Sequence, residues 1–107
     1  MFKTVVVDGN EMEFAANAAT PFRYKQVFHK DLLSIFGNEE KAESQGVEAV
    51  TELAYIMAKQ AEKADMNKLS YEDFIGWLEG FGSMAFVEAA EDIINVYLEN
   101  TVTSSSP

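Results

Sequence analysis

VEAVTELAYIMAKQAEKA, residues 47–64, is too apolar for a helix that meets its protein on one side only. Val47, Val50, Leu53, Ala54, Met57 and Ala61 recur at helical spacing, and Ile56 and Ala58 widen the apolar arc beyond a single stripe. Glu48, Glu52, Lys59 and Glu62 leave a narrow polar band for water. The spacing therefore predicts a central helix packed from both flanks by the segments before and after it.

Those segments supply the partners. Thr20-Pro21 reads as an N-cap followed by proline at the first helical turn. It opens a helix over PFRYKQVFHKDLLSIF with Tyr24, Val27, Phe28, Leu32 and Ile35 on one face and a stop at Gly37-Asn38. Residues 38–46, NEEKAESQG, lack periodicity and read as a surface loop. Beyond the central helix, Ser70 caps a third helix with Asp73 at the capping-box position and Tyr71, Phe74, Ile75, Leu78 and Phe81 on its apolar side. Gly80 and Gly82 permit a reversal into a fourth, marked by Phe86, Val87, Ala90, Ile93, Ile94 and Tyr97. Ahead of all this, two strand-like runs at residues 2–7 and 12–16 flank Asp8-Gly9-Asn10-Glu11, a turn that needs positive φ at Gly9 or Asn10. The expected fold is mainly α: an N-terminal β-hairpin at about residues 2–16, then about four antiparallel helices, in one domain over residues 1–99 with a flexible polar tail at 100–107. The free hairpin edge is also a route to a homo-oligomer.

At 107 residues the chain can bury roughly 65% of its unfolded surface in a single core. It has no cysteine, which excludes disulfides and thiolate metal sites. No apolar run reaches the roughly 18 residues of a membrane span, so no membrane association is expected. The net charge of −10 is unevenly placed: residues 69–107 hold seven acids and no Lys or Arg. That balance disfavours nucleic acid as a partner, because phosphate binding needs clustered bases. It suits solubility, a basic docking partner, or imitation of DNA charge.

Candidate chemistry is sparse, and no catalytic residue, cofactor or metal is expected. His29, the only histidine, sits mid-helix with no glycine-elbow serine in the chain. The acid pair Glu39-Glu40 falls in the expected loop and reads as solvated, and Glu72-Asp73 and Glu91-Asp92 are adjacent in helical sequence, so their members point to different faces. ADMNKLSYEDF approaches a calcium loop but fails in both registers: from Asp65, Leu69, Ser70 and Gly76 stand where ligands and glycine belong; ending at Asp73, Ala64 and Met66 do. Aromatic residues are the surplus. Phe22, Tyr24 and Phe28 on the first helix, with Trp77 and Phe81 on the third, read mostly as core, and they are also the candidate contact surface should the domain leave one apolar groove for a partner helix.

AATPFRYKQVFHKDLL after an N-terminal hairpin, LAYIMAKQAEK in the middle, FIGWLEGF, and YLENTVTSSSP at the end together resemble the tail assembly chaperones of long-tailed bacteriophages and prophages of Gram-positive hosts. The resemblance covers most of the chain and includes no catalytic signature. It implies a non-enzymatic protein that binds the helical, aggregation-prone tape-measure protein in the host cytoplasm and keeps it soluble until tail tube protein assembles around it. It also implies absence from the mature virion, and often a longer frameshifted form that recruits tube protein. A lysine-rich end common in such proteins does not occur here. The competing expectation is an acidic, DNA-mimicking phage inhibitor of a host nucleic-acid enzyme.

Overall fold

The computed structural model describes residues 2–103, and the side chains of residues 2–99. Two antiparallel strands, β1 (Phe2–Val7) and β2 (Asn10–Ala15), precede five helices: α1 (Thr20–Phe28), α2 (Leu32–Phe36), α3 (Glu39–Ala61), α4 (Tyr71–Leu78) and α5 (Ala85–Thr103). A 3₁₀ turn at Met66–Lys68 lies between α3 and α4. The fold is mainly helical with an N-terminal hairpin, and four of its helices are substantial.

α3 is the centre. It packs against β2, α1, α2, α4 and α5, and Ala49, Val50 and the whole run from Glu52 to Ala58 are buried. Burial over seven consecutive residues leaves no free face there, as the apolar excess of that segment requires. The hairpin closes one side of the core: β2 lies on α3, β1 lies on α5, and Val5, Val7, Phe14 and Ala16 join the main cluster. Its register pairs Val5 with Met12 and Val7 with Asn10 across a two-residue turn in which both Asp8 (φ 55°) and Gly9 (φ 79°) are left-handed. This is the turn whose twist matches paired strands. The turn is shorter than the sequence suggests, with the second positive φ at Asp8 instead of Asn10. Asp8 then accepts a hydrogen bond from the Gly82 amide at 3.1 Å, joining the hairpin to the α4–α5 loop.

Four boundaries differ from the sequence reading. The expected single helix over residues 21–36 is two helices. His29 adopts the left-handed conformation (φ 58°) at the end of α1, and Asp31 restarts the chain by accepting from the Leu33 amide. The buried positions Tyr24, Phe28, Leu32 and Ile35 keep helical spacing across this break, so the apolar pattern could not reveal it. Residues 39–46, expected to be a loop, form the first two turns of α3. Asn38 caps them by accepting from the Lys41 amide at 3.1 Å, and Glu39 and Glu40 sit in the first turn, where carboxylates favour the helix dipole. Thr20 does not cap α1. Fully buried, its hydroxyl accepts from the Asn17 amide and donates to Gln60 at the end of α3. Finally, α5 runs through residues 100–103, where the polar tail is expected to begin, and residues 104–107 lie outside the described residues.

Candidate functional site

The five aromatic residues singled out by sequence do not form one surface. Tyr24 and Phe28 are core: Tyr24 has no exposure, and its ring lies 5.2 Å from that of Phe28. Phe28 continues to Phe74 at 5.0 Å, Phe74 to Tyr55 at 5.3 Å, Tyr55 to Trp77 at 5.6 Å, and Trp77 to Phe81 and Phe86 at 5.0 and 5.3 Å. This ladder of tilted and edge-to-face contacts ties α1, α3, α4 and α5 together, each pair adding about 0.5–1.5 kcal/mol to simple burial. The expectation that Tyr24 and Phe28 meet a partner is therefore corrected: both rings are held inside the fold. Trp77 and Phe81 are half-buried at its edge. Phe22 alone of the five stands out, at 74% exposure on α1.

Beside this ladder lies a buried polar group that the sequence reading placed in water. Glu52 is 2% exposed, accepts from the Tyr24 hydroxyl at 2.6 Å, and pairs with Lys30 Nζ at 3.1 Å. Lys30 also reaches Glu48 at 2.6 Å. Burial, the hydrogen bond to Glu52 and its charge all push the Tyr24 hydroxyl far above the usual tyrosine range. Burial pulls the Lys30 ammonium down, but hydrogen bonds to Glu48 and Glu52 outweigh it and leave it raised. The His29 break brings Lys30 to this pair. Every buried side-chain polar atom here has a partner, which gives the cluster a structural role: fixing the α1–α2 corner on α3.

The open apolar surface lies elsewhere. α2 and α5 both pack on α3, and the space between them is lined by Leu33, Phe36 and Gly37 from α2 and its cap, and Ile94, Tyr97 and Leu98 from α5, enclosing about 440 Å³. A second hollow of about 230 Å³ shares Phe36 and Ile94 with the first and adds Ala42, Gly46, Val47 and Val50 of α3 with Ala90 and Glu91 of α5. The two make one groove with α3 as its floor. Leu33, Val47 and Leu98 are 61%, 49% and 46% exposed, which is unusual for large aliphatic side chains sharing a concave surface. Among the described residues, Glu91 is the only carboxylate lining it, and no Lys or Arg does. Asp31 stands near Tyr97, whose hydroxyl is pushed up by burial first and by that carboxylate second.

The sequence carried two signals for this groove. One is the segment assigned to a loop, whose helical form supplies Ala42 and Gly46. The other is the off-stripe pair Leu33 and Phe36, apolar residues that the core face of Leu32 and Ile35 leaves out. Among the described residues, no group of three or more His, Asp or Glu side chains is placed to hold a metal ion, and no helix is long and apolar enough to cross a membrane. No protein-family model, curated protein or solved structure matches the chain.

Proposed function

We propose that this protein is a non-enzymatic tail assembly chaperone of a long-tailed phage or prophage. It holds an apolar helical segment of the tape-measure protein in the groove between α2, α3 and α5, keeps that protein soluble in the host cytoplasm, and helps recruit tail tube protein. The observation that carries the reading is the groove itself: exposed Leu33, Val47 and Leu98 around an apolar floor, on a protein of net charge −10. A concave apolar surface suits an amphipathic helix, and the surrounding charge keeps the loaded complex dispersed. Phe22, exposed on α1, is a second contact for a long client.

Co-expression with the tape-measure protein tests this directly. The expected result is a co-purifying complex and a shift of the tape-measure protein from the pellet to the soluble fraction. A folded protein that yields neither complex nor rescue would end the reading.

A further inference from the structure

Gly46 is the residue least explained by the fold. It lies inside α3, where glycine costs about 1 kcal/mol relative to alanine. Its φ is not positive, and a Cβ built there would meet nothing within 4 Å. Gly37, by contrast, has an internal reason, since a Cβ would come within 2.8 Å of the Leu33 carbonyl. Gly76 of α4 also faces open space but lines neither hollow of the groove, whereas Gly46 lies in its floor beside Val47. A helix-weakening residue that relieves no contact within its own chain leaves room for one from outside.

The charges around the groove select what enters. Glu39 and Glu43 precede the floor positions Ala42, Gly46 and Val47 by three or four residues, and so share their side of α3. Glu91 is on the opposite wall, with Glu88 one turn before it on α5. Among the described residues, none of these four carboxylates is in an ion pair. A second copy of this chain would bring the same acids and another −10, so the rim repels it. A cationic partner is drawn in.

We infer that the groove takes a single amphipathic helix whose apolar face carries a small residue against Gly46 and whose flanks carry Lys or Arg facing Glu39, Glu43 and Glu91. The assignment rests on the reading of this groove as a client site, and names the kind of client segment it accepts. About 18 residues of such a helix are about 27 Å long, comparable with the 29 and 30 Å shorter extents of the molecule.

The test uses the whole protein and two labelled synthetic peptides of about 18 residues. Both carry one Leu/Ala apolar stripe, with lysines on the polar face of one and glutamates on the other. Fluorescence anisotropy should show the lysine peptide binding at least about tenfold more tightly, with the difference shrinking toward about 0.5 M salt. Gly46→Leu, which fills the floor, and Leu33→Gln, which removes an exposed apolar wall, should each weaken it at least about tenfold without lowering the thermal melt appreciably, Gly46→Leu raising it if anything. Equal binding of the two peptides, or unaltered binding by both variants, overturns the inference. So does a parent dimer that Gly46→Leu converts to monomer, because the occupant would then be a second copy. Tape-measure solubility separates this inference from the wider reading. Rescue by Gly46→Leu equal to that of the parent keeps the chaperone and removes the groove assignment. Peptide selectivity without tape-measure rescue does the reverse.

Discussion

Glu52 shows how a charged side chain can look like surface in a sequence and be core in a fold. Glu52 belongs to the only polar band of a very apolar helix, so its type does not announce burial, whereas Tyr24 lies on the apolar face of its helix and carries its hydroxyl inward with the ring. The corner at His29 brings Lys30 over α3 and completes the Glu52 carboxylate's surroundings: it accepts three hydrogen bonds, one from the Tyr24 hydroxyl and two from the Lys30 ammonium, which supplies the positive charge. The arrangement makes stability depend on alkaline pH. The Tyr24 and Tyr55 hydroxyls are both raised above their ordinary 10.0, Tyr24 by burial and Glu52, Tyr55 by burial and Asp73. The unfolded chain therefore releases these protons first. Their contribution is complete below about pH 10 and is lost as pH rises beyond it, at about 1.4 kcal/mol per pH unit for each group. Lys30, raised in net, acts in the same direction at higher pH. Urea unfolding should accordingly give a stability that is level from about pH 7 to 9 and falls above about pH 10. Tyr24→Phe should cost about 1–3 kcal/mol at neutral pH and remove one group's worth of the alkaline slope. An unchanged slope in that variant would show that the hydroxyl titrates normally.

Among the elements, α3 separates what periodicity can read from what it cannot. Its C-terminal half is legible because seven consecutive buried residues enforce a wide apolar arc. Its N-terminal half is not, since Glu39, Glu40, Glu43 and Ser44 are exposed and only Ala42 and Gly46 turn partly inward. There the helix rests on local chemistry: good helix formers, first-turn acids and the Asn38 cap. The same local signals mark the α1–α2 break, where Asp31 supplies a new cap within an unbroken apolar stripe. Asn38→Ala should cost about 1 kcal/mol in urea unfolding, while Asn38→Asp, which keeps the accepting oxygen, should stay close to the parent. Because the first turns of α3 hold Ala42 and Gly46 in place, the alanine variant should also loosen the groove before the core. Hydrogen exchange should show this as faster exchange confined to residues 41–46, without a change in residues 52–58. Uniform acceleration along α3 would mean that the two halves open together.

At the scale of the molecule, the hairpin decides whether the helices form a closed core. Two strands alone are marginal in water, and the sequence leaves open whether this pair lies on the helices or pairs elsewhere. Here β2 covers α3 and β1 covers α5, so the hairpin bridges two helices that form the floor and one wall of the groove. Phe14, fully buried in β2, anchors that bridge, and the Asp8 contact to the Gly82 amide and the Lys3–Glu99 ion pair at 3.0 Å stitch its ends. The ion pair is exposed on both sides and adds little, so the anchor is apolar. Phe14→Ala should therefore cost about 3–5 kcal/mol, a large part of the roughly 5–15 kcal/mol that holds a domain of this size. Because the cavity opens against α3 itself, the loss should appear as one earlier transition seen alike by far-ultraviolet circular dichroism and by Trp77 fluorescence. Two separated transitions, with helical signal surviving the loss of the hairpin, would show that the helices close without it. The groove would then be set by α2, α3 and α5 alone, and peptide binding should survive in the Phe14→Ala protein below its first transition.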